Sequence, residues 1–289
     1  MEPIIPQEPQ SAADYDDRTT AAVKSVLIEI GQILGSFRGK FAVVGGSVPW
    51  LLLENEEMHH VGTLDVDLGL DAEALQGGEY AELVEALLSS GYQQGKKLRR
   101  FQLLRRIPAA DGSGPIDVLV DFLMPREAVI EKNVPALVGE FAVQRASGAA
   151  LALQFYKLVA IEGPMPSGGT NRVEIAVASI PALLAMKGYA IRDRHKQKDA
   201  YDIYYCVRNY PGGIDALTAD CRPLLALKDA TEGYRSVADK FSTPDAYGPT
   251  SVRRFVEETR LLGDRTADQW QQDAFGQVDA WLRALGIRV

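Results

Sequence analysis

The sequence predicts an α/β fold followed by a helical region. Short apolar strands alternate with amphipathic helices up to about residue 178, and helical periodicity runs from Ser179 to the end. Three observations carry this reading. Runs of strand length and strand composition recur at 41–46, 64–70, 98–107, 115–123 and 172–178. Ser179-Ile180-Pro181 is a helix start, with a capping hydroxyl and an early proline. The chain has 289 residues, 46% of them hydrophobic, which is enough for two cores. The expected domains are 1–178, an α/β domain with a frayed start at 1–12, and 179–289, a helical domain.

The elements follow in order. Residues 13–36 read as an amphipathic helix, with Val23, Val26, Leu27, Ile30 and Leu34 at helical spacing. FAVVGG (41–46) is an apolar strand entering a glycine pair, and SVPWLLLEN (47–55) is a short helix with proline near its start. LDVDLGL (64–70) alternates strictly, so it is a strand with Asp65 and Asp67 on one face. Residues 78–90 suit a helix ending at Gly91, and 98–107 and 115–123 suit two strands joined by the turn ADGSGP. Residues 139–145 and 155–162 are further strand candidates, and PMPSGGT (164–170) is a loop before the strand at 172–178. Residues 183–207 read as one continuous helix.

Composition narrows the function classes. Net charge is −8, which argues against loose binding to nucleic acid through overall charge. Local basic segments exist at 96–106 and 187–198, each readable as a solvated face or as part of a groove. Two cysteines without a spacing motif suggest neither disulfides nor a zinc site, so a reducing cytoplasm is expected. No signal peptide or membrane span is read. Walker, dinucleotide-binding, zinc-protease and nucleophile-elbow motifs are all missing from the sequence.

Four features can carry chemistry. Gly45-Gly46-Ser47 stands between a strand and a helix, where backbone N–H groups suit phosphate; it also reads as an ordinary tight turn. Asp65 and Asp67 point the same way from one strand. Such like charges need a compensator, a divalent cation being the usual one, unless the face is simply solvated. Asp117 and Asp121 share a face of the 115–123 strand, about 13 Å apart. Metals of a two-metal site lie only about 3.5–4 Å apart, so at most one of these acids joins the pair, and Asp117 is favoured. In the continuous helix, Lys187, Arg194, Lys198 and Asp202 fall within a band of about 80° that also carries Leu184, Ile191 and Tyr201. A cation inside an apolar stripe needs an acid such as Asp202, or an anionic ligand. His59-His60 is read as part of a loop.

Together these residues resemble the nucleotidyltransferase superfamily with the polymerase-β-like core. There a glycine turn opens a helix, an Asp-x-Asp strand follows, and a third acid lies on a later strand. Here those are Gly45-Gly46-Ser47, Asp65-x-Asp67 and Asp117. More narrowly, the chain resembles the AbiEii/MenT toxin nucleotidyltransferases, through VVGGSVPWLL, the Gly-Thr-Leu-Asp-Val-Asp run, and Lys187 followed by Arg194, Lys198-Asp199 and Asp202. The likeness covers about residues 41–207; Ser47-Val48-Pro49 departs from it in carrying a proline. The resemblance implies a mixed sheet flanked by helices, with a helical C-terminal domain. It implies transfer of a nucleotide from an NTP to an acceptor, with tRNA 3′ ends favoured over other RNA, a protein or a small molecule; the alternative of another class is a catalytically inactive nucleotide- or RNA-binding module. Asp65, Asp67 and Asp117 would hold two Mg²⁺, with Mn²⁺ as a substitute. Gly45, Gly46, Ser47 and Thr63 would meet the phosphates. Lys187, Arg194 and Lys198 would complement the triphosphate, and Asp202 would orient those cations. A separately encoded antitoxin is the implied partner, and neither DNA nor a membrane is.

Overall fold

The computed structural model describes residues 12–53, 55, 57–71, 73–75, 78–95, 97–108, 114–126, 143–257 and 260–288. The expected frayed start, Lys96, most of the ADGSGP turn and residues 139–142 lie outside the described residues. The chain divides into two compact units. One comprises Asp17–Ser47 and Gly62–Ala178; the other comprises Val48–Val61 and Ser179–Val289, together with 12–16.

The first unit is a seven-stranded mixed sheet with helices. Its elements are α1 (Asp17–Ile33), β1 (Phe41–Val44), β2 (Asp65–Leu70), α3 (Glu79–Ser89), β3 (Gln102–Ile107), β4 (Ile116–Pro125), β5 (Gln144–Ala146), α4 (Ala149–Gln154), β6 (Tyr156–Pro164) and β7 (Thr170–Ala178). A six-residue helix, α2 (Ser47–Leu52), follows β1 in the chain. The strand order is β3-β4-β2-β1-β7-β6, with β5 also pairing with β4. β1 runs antiparallel to β2 and parallel to β7, and β2 runs parallel to β4. Alternation decides which face of β2 and β4 is buried. Val66 and Leu68, and Val118, Val120 and Phe122, are wholly buried, so the acids between them take the opposite face. α1 lies on the β6–β7 hairpin, where a Cβ on Gly163 would touch Ile28 and one on Gly31 would meet Val173. α1 also carries the buried Glu29, which takes a two-pronged hydrogen bond from Arg105 on β3 at 2.7 and 2.8 Å. Short α4 was not legible in the sequence.

The second unit is helical: α5 (Ile180–Asp193), α6 (Gln197–Arg208), α7 (Gly213–Cys221), α8 (Lys228–Lys240), α9 (Tyr247–Glu257) and α10 (Ala267–Ala284). Ser179 caps α5 as expected, its hydroxyl accepting from the Ala182 N–H at 3.4 Å. α6 is the central helix, buried from Lys198 to Val207 and packed by α5, α9 and α10. The loop 53–60 is tied to α6. The Tyr205 hydroxyl donates to the Leu53 and Met58 carbonyls at 3.3 and 3.0 Å, and Asn55 donates to Asn209 at 2.6 Å. Among the described residues, no helix is long and apolar enough to cross a membrane.

The expected helix over 183–207 is in fact two helices. Arg194 is extended, with φ −138° and ψ 158°, and the chain turns at 194–196 before α6 begins. On a single helix, the side chains of Lys187 and Asp199 would project from different turns. The break folds them together, and the charged run 192–199 gains ion pairs that a straight helix could not offer.

α5 and α8 cross backbone to backbone. A Cβ on Gly188 would overlap the Gly233 carbonyl, and one on Gly233 would overlap the Ala185 carbonyl. We expect Gly188→Val to lower the unfolding free energy by about 3 kcal/mol, the upper end of overpacking costs. Urea denaturation measures it; a loss below about 1 kcal/mol would mean that the two helices separate without penalty.

Candidate active site

In the first unit, sheet register brings the glycine turn and the acidic strand together. Val44 pairs with Asp67 across β1 and β2, so Asp67 stands beside the turn that follows β1. Gly45 has φ +71°, a conformation that favours glycine, and any Cβ there would overlap Asp67 Oδ2. Glycine is thus required twice, for the backbone and for the carboxylate. Ser47, two residues on, is buried, and its Oγ has no hydrogen-bond partner among the described residues. A buried hydroxyl without a protein partner is costly, and its oxygen can both donate and accept. α2 has only six residues, so any dipole contribution from it is small. Thr63, expected at the phosphates, is buried and donates its hydroxyl to Asp65 Oδ1 at 2.9 Å.

The structure places the two candidate third acids differently. Across the parallel pair β2–β4, Asp65 pairs with Leu119 and Asp67 with Asp121. Asp121 is therefore the lateral neighbour of Asp67, on the same face. Asp117 lies further along β4, opposite Arg106 of β3, whose guanidinium donates to both its oxygens at 2.7 Å. Asp121 accepts from Gln102 Nε2 at 2.9 Å. The basic run 96–106 also reads differently in the structure. Arg105 is turned inward to Glu29 and Arg106 is occupied by Asp117, so these two do not line an open groove.

The donor set suits a hard cation. The Asp67 carboxylate lies against the Gly45 turn, with Asp65 on the same face of β2, and Mg²⁺ prefers oxygen ligands. Among the described residues, no three His, Cys, Asp or Glu side chains form a ready-made metal cage. That is compatible with Mg²⁺, which is commonly held by one or two carboxylates and completed by substrate phosphates and water.

The second unit contains a buried charge network. Lys187 Nζ lies 2.7 Å from Asp199 Oδ1 and 2.8 Å from Asp202 Oδ2. Arg194 grips Asp199 with two bonds at 2.8 and 3.0 Å, and Lys198 lies 2.8 Å from Asp202. His60 Nε2 completes the group, 3.0 Å from Asp202 Oδ1. Burial, the largest influence on Lys187, opposes its charge, but Asp199 and Asp202 outweigh it and raise its pKa. Burial, reinforced by neighbouring Lys187, lowers that of Lys198 despite Asp202. Burial would raise the Asp199 carboxyl, yet Lys187 and Arg194 hold it down at about 2. The expected grouping of Lys187, Arg194, Lys198 and Asp202 is thus real, although two helices and a turn supply it. Asp199 joins it, and so does His60, which sequence reasoning left in a loop. Nothing in the spacing of an adjacent histidine pair signals a partner 142 positions away.

His60 gives this network a pH signature. Burial first, then Lys198, lowers its pKa from 6.5 to about 4. In that interval the unfolded chain binds a proton that the folded protein does not, so stability falls as pH drops from 6.5 towards 4. The loss approaches about 3 kcal/mol, at roughly 1.4 kcal/mol per pH unit. Asp199 adds a loss in the same direction, but only below 3.8, as pH falls towards 2. Urea titrations from pH 7 to 4 should show the slope in the wild type and a flatter one in His60→Gln. Parallel slopes would refute the assignment.

Solved structures resemble the chain at low identity. JHP933 from Helicobacter pylori is 12% identical, covering 94% of this chain and 95% of its own, with a TM-score of 0.47. An antigenic nucleotidyltransferase-like protein from Paracoccidioides brasiliensis is 15% identical, covering 76% and 93%, with a TM-score of 0.42. No curated protein sequence gives a significant match. Residues 63–280 match the family described as the nucleotidyl transferase AbiEii toxin of type IV toxin–antitoxin (TA) systems. That match spans β2, β4 and the Lys187–Asp202 network, and with it the chain belongs to the AbiEii family of nucleotidyltransferase toxins.

Proposed function

We propose that the protein transfers a nucleotide from an NTP to the 3′ end of an RNA, tRNA being the favoured acceptor, in a Mg²⁺-dependent reaction. The observation that carries this is the lodging of Asp67, on the same strand face as Asp65, against Gly45, two residues before Ser47, whose buried hydroxyl has no partner among the described residues. Asp65 and Asp67 would hold Mg²⁺, with Mn²⁺ as a substitute. The register pairing of Asp67 with Asp121 supports Asp121 as the third acid in place of Asp117. When bound, the cation neutralises triphosphate charge and favours loss of the acceptor proton.

The chain's own residues do the rest. The backbone at Gly45 and Gly46, with the Ser47 hydroxyl, binds phosphate oxygens. Thr63 fixes the rotation of the Asp65 carboxylate through its hydrogen bond. The acceptor hydroxyl attacks the α-phosphorus as the bond to pyrophosphate breaks, and pyrophosphate leaves with the electron pair. Lys187, Lys198 and Arg194 supply positive charge suited to a polyanion. Among the described residues, the cluster sets these three cations against two carboxylates, Asp199 and Asp202. Asp202 orients the two lysines. A separately encoded antitoxin would restrain the activity, in keeping with the family.

Incubation with labelled NTP, Mg²⁺ and total RNA should label RNA of tRNA size. Label on protein or a small molecule instead would overturn the RNA acceptor. Asp65→Ala should reduce transfer by on the order of 10³-fold or more, the scale of losing a charge-stabilising group, with the fold retained by circular dichroism. Full activity in that variant would remove Asp65 from the site. Strong expression of the wild type, but not of Asp65→Ala, should arrest growth; equal growth would count against toxicity.

A further inference from the structure

We propose that Gln102 is a positioning residue for the transfer reaction, holding Asp121 at a fixed rotation beside Asp67. The proposal rests on the nucleotidyltransferase reading above, and names the residue that sets one of its acids. Gln102 pairs with Asp121 across β3 and β4, and Asp121 pairs with Asp67 across β4 and β2. The three side chains therefore form one lateral row on the acidic face of the sheet, and the row ends at the Gly45 turn. Gln102 is only 9% exposed, although its amide is polar. Both ends of that amide are engaged. Its Oε1 accepts the Arg99 backbone N–H at 3.1 Å, and its Nε2 donates to Asp121 Oδ1 at 2.9 Å.

The first contact determines the second. A glutamine amide can be flipped without changing its shape, so its orientation follows from its partners. The Arg99 N–H requires an acceptor, which leaves only the amide nitrogen to face Asp121. A nitrogen with no lone pair to offer can meet only an accepting oxygen. Gln102 thus anchors one carboxylate oxygen of Asp121 from the side away from Asp67. Two neighbouring carboxylates repel each other, and the Gln102 donor opposes the rotation of Asp121 that this repulsion favours. Partners that orient metal-binding carboxylates commonly affect metal affinity or activity by about 10–100-fold. The same face supplies a contrast. Asp117, on the same face of β4, is engaged by both arms of the Arg106 guanidinium, whereas the contact from Gln102 to Asp121 is a neutral amide donor.

The test uses Gln102→Met, which keeps the volume and removes the donor, and Gln102→Glu, which keeps the shape and places a carboxylate against Asp121. Mn²⁺ binding to the full chain is measured by calorimetry, alongside kcat and KM for NTP and the melting temperature. We expect Mn²⁺ affinity to fall about tenfold or more in both variants. Transfer should fall in kcat rather than rise in KM, and excess Mn²⁺ should restore it in Gln102→Met. Wild-type Mn²⁺ affinity and kcat in both variants would overturn the proposal. So would a kcat loss that excess Mn²⁺ leaves unchanged in Gln102→Met, because a packing defect behaves that way. If Gln102→Met melts early, Gln102→Glu decides the matter, and wild-type Mn²⁺ affinity in that variant would be equally fatal. Asp65→Ala separates the two levels. If it still binds Mn²⁺ and transfers nucleotide, the underlying reading fails. If it loses both while the Gln102 variants match the wild type, only the role of Gln102 fails.

Discussion

The approach of Asp67 to Gly45 is the constraint from which the site geometry follows. A carboxylate oxygen occupies the space that any side chain at residue 45 would need. That contact requires β1 and β2 to pair in one register, with Val44 opposite Asp67. A slip of one residue would send Asp67 into the core and Val66 to the open face. The buried side chains Val66 and Leu68 prevent the slip, because each would have to leave the interior. Apolar burial on one face of β2 therefore sets the position of the charges on the other. The Thr63 hydroxyl on Asp65 and the Gln102 amide on Asp121 then refine those positions by hydrogen bonding.

The second unit solves the opposite electrostatic problem. There the buried groups are cations, and two carboxylates hold them. Buried ion pairs are seldom the most stable filling for an interior; apolar residues of similar volume often do as well or better. Lys187, Lys198, Asp199 and Asp202 are nevertheless placed within the central packing around α6. Stability alone does not account for that choice. Desolvation shapes each member differently: Lys187 touches two carboxylates and keeps its proton firmly, while Lys198 touches one and holds its proton less firmly. His60 stays neutral over the physiological range because burial and Lys198 both oppose its charge. It adds a hydrogen bond to Asp202 without a further cation.

Much of this was legible in the sequence, and what was not has identifiable reasons. Strict alternation at 64–70 put Asp65 and Asp67 on one face, because side-chain direction in a strand depends only on parity. Ser179-Ile180-Pro181 marked the start of α5 through local capping chemistry, which needs no distant partner. The join between α5 and α6 escaped detection because no glycine or proline marks it. The eight residues 192–199 are all polar and give no periodicity to read, and Arg194 reaches Asp199 across the turn. Glu29 beneath Arg105 and His60 beside Asp202 were equally invisible, since each pair joins residues far apart in the chain. The inward turn of Arg105 and the pairing of Arg106 within the basic run 96–106 were invisible for the same reason. Charge density along a chain says nothing about which acids the fold brings to it.

The choice between Asp117 and Asp121 shows where sequence reasoning must stop. Parity places both on one face of β4, and the distance between them admits only one to the site. Neither fact distinguishes the two, because their surroundings depend on register between strands whose connection is long. Register in turn depends on packing: Phe122 and Val120 of β4 are buried in line with Leu68 and Val66 of β2, and that alignment brings Asp121 level with Asp67. The same register leaves Asp117 opposite Arg106 at the other end of β3, where the charge is satisfied within the sheet. One acid is thereby neutralised by the protein. The other stands level with the Asp67 carboxylate, where the proposed cation would be shared.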